Sequence, residues 1–264
     1  MSKADTELEA NAKESEPEEN ESGKMSFLEH LDELRKRLVH IAAYIGVGFV
    51  ASWFFARPIY NFLAAPITRY LPEGTKLAYT SPTDPFTLYM KVALLAAIFL
   101  TIPLTLYEVW KFIAPGLYRK EKKYIIPFLV CSIILFVSGA AFCYYIVLPA
   151  AFQFLIQLGS SFMPVIKIDE YLDLTNMMLL GFGLIFEMPV IAAFLSMFGL
   201  ISANFLWAKF KYSIIGIVAL AAIISPTGDG LNLALWSAPM IVLYIISIGV
   251  AAIFGRRRKA KGLA

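Results

Sequence analysis

The sequence predicts an all-α polytopic membrane protein with six transmembrane helices. The first observation is composition: 59% of the 264 residues are hydrophobic, 16% are charged, and the mean hydropathy is +0.68. A chain this apolar is atypical of soluble domains. The second observation is a series of six apolar stretches, and the third is an uneven division of lysine and arginine between the loops that join them.

The apolar stretches have lengths expected of membrane-spanning helices, with one exception. They comprise residues 38–55, 86–106, 125–148, 175–200, 212–224 and 231–254. The fifth has only 13 residues, or about 20 Å of helix against a hydrocarbon layer of about 30 Å. This span must therefore be short, thin the bilayer, or include the preceding "FLWAKF". We expect Lys91 and Glu108, near the ends of the second stretch, to reach towards the interface.

Basic residues predict the orientation of the spans. Loops and flanks on the side of the termini carry 15 lysine and arginine residues, whereas the opposite loops carry four, namely Arg57, Arg69, Lys76 and Lys167. Cytoplasmic loops of membrane proteins carry the excess of positive charge. We therefore expect a multi-pass protein of the cell's inner membrane, with both termini in the cytoplasm.

The two ends of the chain are predicted to lie outside the membrane domain. Residues 1–24 hold eight acidic and three basic side chains and almost no large apolar ones, a composition typical of disordered segments. We predict a disordered acidic tail over residues 1–24, a six-span domain over residues 25–255, and a basic cytoplasmic tail over residues 256–264.

Two outer segments show the apolar stripe of a surface helix. In "RPIYNFLAAPITRYLP" the apolar positions recur at helical spacing, which predicts an amphipathic helix on the outer surface. In "PAAFQFLIQLGSSF" the positions of Phe152, Leu155 and Ile156 predict that the third span continues past the membrane. We interpret both as packing caps rather than binding sites.

Motifs typical of enzymes and cofactor sites are absent from the sequence. Nothing matches the glycine-rich signatures of nucleotide binding or the G-x-S-x-G of serine hydrolases. The two histidines, His30 and His40, have no second type of metal ligand beside them. Asp229 in "SPTGDGLN" has no buried carboxylate partner of the kind that aspartyl proteases need. We therefore predict a protein that is not an enzyme and has no metal or other cofactor.

The inner-side segments place acids among bases. In "MSFLEHLDELRKRL" the i,i+4 spacing pairs Glu33 with Arg37 and Asp32 with Lys36, and such pairs contribute about 0.3–0.5 kcal/mol each. On spacing alone we favour this structural role. The loop "FIAPGLYRKEKK" sets one acid, Glu121, among four bases. Proximity to anionic lipid explains the bases but not the acid.

Glu187 is the only formally charged residue among the 35 residues from Leu174 to Ala208. Its place near mid-depth of the fourth span costs roughly 2.5 kcal/mol or more, so we expect it to face protein or water. One interpretation is a buried acid bonded to a neighbouring helix, near a kink at Pro189. A second is the proton or cation site of a secondary transporter or channel, although no inverted repeat is visible. A third interpretation, for the whole chain, is a purely structural membrane scaffold, which predicts that Glu33 and Glu121 tolerate alanine.

Five segments together resemble the TatC family, the polytopic core subunit of the twin-arginine protein translocase. They are "HLDELRKR", "PFTLYMK", "FIAPGLYRKE", "FGLIFEMPV" and "SPTGDGLN", and they occur in this order between residues 25 and 255. Any one of them is weak, but the set is specific. The acidic tail and the extra glycine of "SPTGDG" depart from the family pattern.

The resemblance implies a receptor for folded precursor proteins whose signal peptides carry an arginine pair. By motif, Glu33 and Glu121 correspond to the acids that bind this pair. Glu187 corresponds to a glutamate on the concave face of the family's fold, where it contacts polar residues of partner helices. We expect the small residues Gly181 and Gly183 to let such a helix approach.

The resemblance also implies partners and an energy source. The partners are single-span TatA-type and TatB-type proteins, twin-arginine precursors, other copies of the chain and the lipid bilayer, with no nucleic acid. The proton motive force would drive export, which agrees with the missing nucleotide motif.

Overall fold

The computed structural model describes residues 27–72, 75–113, 125–224 and 230–260, and nearly all of them are helical. A π-helical turn, Cys143–Val147, joins the fourth and fifth helices. In chain order the helices are α1 (Phe27–Trp53), α2 (Ala56–Thr68), α3 (Asp84–Ile113), α4 (Ile125–Phe142), α5 (Leu148–Leu158), α6 (Ile168–Ile185), α7 (Met188–Met197), α8 (Ala203–Ala208), α9 (Phe210–Ile224) and α10 (Gly230–Ala260).

The helices confirm the predicted fold class. Within the described part of the chain, four segments are long and apolar enough to cross a membrane: Asp84–Ile113, Ile125–Leu158, Ile168–Met197 and Trp236–Gly255. The pair α1 and α2 provides a fifth candidate if it is taken as one bent span, and α9 is a shorter apolar helix. These segments are compatible with six spans.

The first two helices are one long helix and the predicted cap, where inner and outer denote the predicted sides of the membrane. The segment with "HLDELRKR" and the first span form one continuous helix of 27 residues. At its outer end the chain turns by 88° into α2, as expected of a helix that lies along a surface. Leu63 and Ile67 of α2 are buried, and the Tyr144 hydroxyl donates a hydrogen bond of 2.6 Å to the Phe62 carbonyl oxygen. The cap is therefore packed on the bundle.

A second cap and a short backbone pairing complete the outer side. As predicted, the third span continues past the π-helical turn into α5, where Phe152 is buried. Between α5 and α6, the amide of Ile168 donates a hydrogen bond to the Ala78 carbonyl oxygen, and the Ala78 amide donates to that of Ile166, each over 2.9 Å. This contact joins the segment before α3 to the start of α6.

The fourth span is interrupted beside Glu187. Helix α6 ends at Ile185 and α7 begins at Met188. Pro189 has no amide hydrogen with which to bond the Ile185 carbonyl four residues earlier. The Glu187 amide instead bonds the Leu184 carbonyl oxygen over 3.1 Å, which tightens the last turn of α6. The predicted kink is thus a break at residues 186–187.

The fifth span is short, as predicted. Helix α9 has 15 residues, or about 22 Å. The preceding apolar residues form the separate helix α8, which ends before Lys209. The chain therefore does not extend the fifth span by joining "FLWAKF" to it in one long helix.

Close helix contacts in the bundle depend on two glycines. A Cβ atom at Gly139 of α4 would lie 2.6 Å from the Phe182 carbonyl oxygen, and one at Gly183 of α6 would lie 2.8 Å from the Phe136 ring. These glycines therefore let α4 and α6 pack together. The expectation that Gly183 admits a partner helix is wrong, because this chain's own Phe136 covers it.

Candidate functional site

The inner ends of α1 and α3 are held together by an aromatic contact. The rings of His30 and Phe112 stack with centroids 4.3 Å apart and an angle of 18° between their planes. His30 begins the "HLDELRKR" motif, and Phe112 begins "FIAPGLYRKE". Two of the segments that carry the resemblance therefore meet at this end of the bundle, although more than 70 residues separate them.

Arg37 bridges two carboxylates at the same end. Its Nη2 donates to Oε1 of Glu33 and its Nη1 donates to Oε2 of Glu108, each over 2.8 Å. The Glu33 pair is the predicted i,i+4 contact within α1, and the Glu108 pair joins α1 to α3. We call Glu33, Arg37 and Glu108 the inner ion cluster.

Glu108 is the buried member of the inner ion cluster. Its side chain is 3% exposed, compared with 13% for Glu33 and 21% for Arg37. The Tyr44 hydroxyl donates to Oε1 of Glu108 over 3.2 Å, and Nδ1 of His40 lies 3.8 Å from the same oxygen. The expectation that Glu108 reaches to the interface is wrong, because Arg37 and Tyr44 of α1 hold it inside the bundle.

The inner ion cluster contains polar atoms that lack partners. Oε2 of Glu33 and Nε of Arg37 are buried and have no hydrogen-bond partner in the described ranges. The neighbouring acid Asp32 differs from Glu33, because it pairs with Lys36 over 2.7 Å on an exposed face of α1. Glu33 and Asp32 thus differ in surroundings, although they are adjacent in sequence.

Two acids considered in the sequence lie outside the described residues. Glu121 belongs to the loop after α3, and Asp229 precedes α10. Glu121 follows Ile113, the last residue of α3, by eight positions, and Phe112 next to Ile113 stacks on His30. The described end of α3 therefore lies beside His30, three residues before Glu33 in α1.

Glu187 lies at the break between α6 and α7 and is buried. Its carboxyl group hydrogen-bonds with the side chain of Ser132 on α4. Its Oε1 is buried and has no hydrogen-bond partner among the residues with described positions. The carboxyl group of Glu187 therefore makes a hydrogen bond to another helix of this chain and also has one oxygen that is unpaired within the described residues.

A second cluster joins α3 to α6 at the outer end. Nζ of Lys91 lies 2.7 Å from a carboxylate oxygen of Asp169 and 2.7 Å from one of Asp173. We call these three residues the outer ion cluster. Lys91, expected to reach the interface, is thus paired with acids of another helix.

Sequence reasoning missed the role of Glu108 and Tyr44, although one signal was available. Arg37 and Tyr44 are seven residues apart, which places them on one face of α1. A buried acid on the facing helix would satisfy both donors. In the described residues, no group of three or more His, Cys, Asp or Glu side chains has an arrangement that could hold a metal ion.

The chain is similar to proteins of one family along most of its length. A family model described as "Sec-independent protein translocase protein (TatC)" matches residues 29–239. The protein of that name from Koribacter versatilis (strain Ellin345) is 45% identical over 240 residues, which cover 90% of this chain and 89% of the relative. That of Desulforapulum autotrophicum is 40% identical over 241 residues, covering 90% and 88%.

A solved structure extends the likeness to the fold. The crystal structure of the twin-arginine translocase receptor TatC matches with a TM-score of 0.76 and 36% identity, covering 85% of this chain and 99% of that one. These findings do not support the alternative of a secondary transporter or channel. The chain belongs to the TatC family of Sec-independent protein translocase proteins, which are membrane transport components rather than enzymes.

Proposed function

We propose that this translocase subunit receives twin-arginine signal peptides at the inner ends of α1 and α3. The observation that carries the proposal is the state of Glu33. One of its oxygens binds a guanidinium, that of Arg37, and the other has no partner in the described residues. Glu33 thus already binds one arginine side chain, and its second oxygen is unpaired within the described residues.

The chemistry favours arginine over lysine as the ligand. A guanidinium can donate two parallel hydrogen bonds to a carboxylate, and a lysine ammonium cannot reproduce this fork. The bases beside Glu33, including Arg35 and Lys36, weaken an indiscriminate attraction to basic peptides. The geometry of the donors, more than net charge, would then select the peptide.

Glu121 provides the second carboxylate in this proposal. A pair of arginines needs two acids, and Phe112, nine positions before Glu121 in the sequence, stacks on His30. Each carboxylate would bind one guanidinium. The signal peptide would thus lie across the first turns of α1 and the loop after α3.

Crosslinking of a precursor tests this proposal. A twin-arginine precursor with a photoreactive residue next to its arginine pair would be bound to membranes that contain the chain. We expect Glu33→Ala and Glu121→Ala to weaken the crosslink about tenfold, because each loses charge-assisted hydrogen bonds. Asp32→Ala is the matched control, since it removes an exposed acid next to Glu33, and its crosslink should match that of the wild type. Normal crosslinking by both glutamate variants would overturn the proposal.

The proposal includes a scaffold role for the fourth span. As a translocase subunit the chain acts in a complex, and we propose that TatA-type and TatB-type single-span proteins and further copies of this chain are its members. Glu187 would receive a polar side chain of a partner helix at Oε1. Because this oxygen is buried, the contact with Ser132 or the side-chain rotamer must change when the partner docks.

Partner crosslinking tests the role of Glu187 separately. Glu187→Ala should leave precursor crosslinking within about twofold of the wild type, because the inner ion cluster is intact, and should reduce crosslinks from the fourth span to the partners. Ser132→Ala is the matched control, since it removes the internal hydrogen bond and keeps the acid. A partner map that is unchanged by Glu187→Ala would leave the residue with a structural role only.

The proposed orientation places the receptor site in the cytoplasm. The excess of basic residues on the side of the termini supports cytoplasmic termini in the inner membrane. Precursors would therefore meet the inner ion cluster before transport, and the proton motive force would drive export. To test the orientation, a cysteine is introduced near residue 30 and treated with a membrane-impermeant thiol reagent. We expect it to react only when the reagent is added from the cytoplasmic side.

A further inference from the structure

The inner ion cluster has fewer permanent cations than anions. Glu33 and Glu108 are two carboxylates, and Arg37 is the permanently charged base that contacts both. Of the other groups near Glu108, Tyr44 is a neutral donor, and His40 is 3.8 Å away on an exposed side chain. Lys111 acts on Glu108 through its charge, whereas Arg37 is the base that hydrogen-bonds it. One guanidinium is therefore shared between two acids, and each acid receives one of its two outer nitrogens.

An arriving guanidinium cannot simply add to this arrangement. Oε1 of Glu33 is already taken by Arg37, and Oε2 is out of contact with solvent. A two-bond fork needs both oxygens of one carboxylate. Because Oε2 is buried, the incoming arginine reaches both oxygens of Glu33 only if the cluster rearranges. Arg37 is the side chain suited to move aside, since its other terminal nitrogen is held by Glu108.

We propose that Arg37 is a built-in occupant of the arginine-binding carboxylate of Glu33, and that Glu108 retains Arg37 when the signal-peptide arginine displaces it. This inference rests on the proposed receptor function. After the exchange each carboxylate has one guanidinium, so the charges in the cluster balance. Glu108 is thus a positioning residue for signal-peptide recognition that does not touch the peptide.

The geometry explains why Glu108 is suited to this role. It lies on α3, whereas Glu33 and Arg37 lie on α1, so Arg37 can move towards it without unfolding α1. Tyr44 fixes Oε1 of Glu108 by a hydrogen bond and leaves Oε2 for Arg37. Burial strengthens the attraction, because a charge shielded from water interacts more strongly with its partner.

The inference predicts opposite effects for two substitutions. Glu108→Gln removes the competing anion, so Arg37 should bind Glu33 more tightly and the peptide more weakly. Arg37→Lys removes the fork from the occupant but keeps its charge, so the peptide should bind more tightly. A purely structural role for the cluster predicts a weaker or unchanged affinity in both variants.

The test is peptide binding by the full chain in lipid nanodiscs. A fluorescein-labelled signal peptide with an arginine pair is titrated and its anisotropy gives Kd. We expect Glu108→Gln to raise Kd about tenfold and the double variant Arg37→Gln with Glu108→Gln to return it to within about threefold of the wild type, since the occupant is then gone. Arg37→Lys should lower Kd several-fold. Asp32→Asn, which neutralises an exposed acid of α1 outside the inner ion cluster, is the matched control and should change Kd less than about threefold.

The outcomes separate this inference from the proposed function. If Glu33→Gln binds the peptide as the wild type does, the receptor site is wrongly placed and both proposals are overturned. If Glu33→Gln loses binding but Glu108→Gln keeps the wild-type Kd, or Arg37→Lys does not bind more tightly, only the occupant role of Arg37 is overturned. A double variant as weak as Glu108→Gln would contradict it equally.

Discussion

The inner and outer ion clusters have the same plan and different surroundings. Each has one base between two carboxylates, and each joins α3 to another helix. The inner cluster uses an arginine, and its most buried acid, Glu108, is 3% exposed. The outer cluster uses a lysine, and its side chains are 29% exposed for Lys91, 40% for Asp169 and 56% for Asp173.

Because the two clusters differ in burial, we expect them to differ in their contribution to stability and in their role. Exposed ion pairs contribute about 0–1 kcal/mol, because water and salt screen the charges. Removing one partner of a buried pair costs about 3–5 kcal/mol, because an uncompensated charge remains. The outer cluster is thus a weak tether, whereas the inner cluster holds charges whose pairing has to be maintained or exchanged.

The largest expected effect is the loss of stability on removing Arg37. Arg37→Ala leaves Glu108 buried without its guanidinium, and we expect a loss of about 3 kcal/mol. Thermal unfolding of the purified chain in detergent measures this change. Arg35→Ala, at an exposed position of α1, is the matched control and should shift stability by less than about 0.5 kcal/mol. Equal effects of the two substitutions would contradict the burial argument.

A double substitution sharpens the same argument. Replacing a buried ion pair by apolar residues of similar volume is often neutral for stability. We therefore expect Arg37→Met combined with Glu108→Leu to recover about 2 kcal/mol of the loss caused by Arg37→Ala in the same unfolding assay. No recovery would show that Glu33 or Tyr44, rather than the buried charge of Glu108, dominates the energy of the inner cluster.

The smallest expected effect belongs to the outer cluster. Lys91→Ala should cost less than about 1 kcal/mol, and salt at about 0.5 M should remove most of that difference by screening. Unfolding of the variant and the wild type at low and high salt measures both statements. A large, salt-independent loss would place the outer cluster in the same energetic class as the inner one.

Much of the fold was predictable from the sequence, because the thickness of the bilayer sets the length of the apolar helices that cross it. The outer cap α2, the continuation of the third span and the short fifth span are confirmed. The break before Pro189 follows from its missing amide hydrogen. The i,i+4 pairs of α1 are also confirmed, because both partners lie on one helix and need no tertiary information.

The contacts between helices were not predictable from the sequence. From the sequence, Glu108 is only an acid near the end of a span, whereas the structure shows Arg37 of another helix bonded to it. Gly183 was expected to admit a partner helix, whereas the structure shows Phe136 packed against it. Both depend on which faces of two distant helices meet. The roles of Glu33, Glu121 and Glu187 remain proposals that the experiments above address.

The most direct test of the central claim is export by variants of Glu33. A strain that lacks its own TatC protein is complemented with this chain, together with the matching partners, and export of a reporter is measured with an arginine-pair and a lysine-pair signal peptide. We predict that Asp32→Ala keeps export of the arginine-pair reporter and its preference over the lysine-pair one, whereas Glu33→Ala loses export. Export by Glu33→Ala at the wild-type rate and with the wild-type preference would contradict the assignment of Glu33 as the carboxylate that recognises arginine.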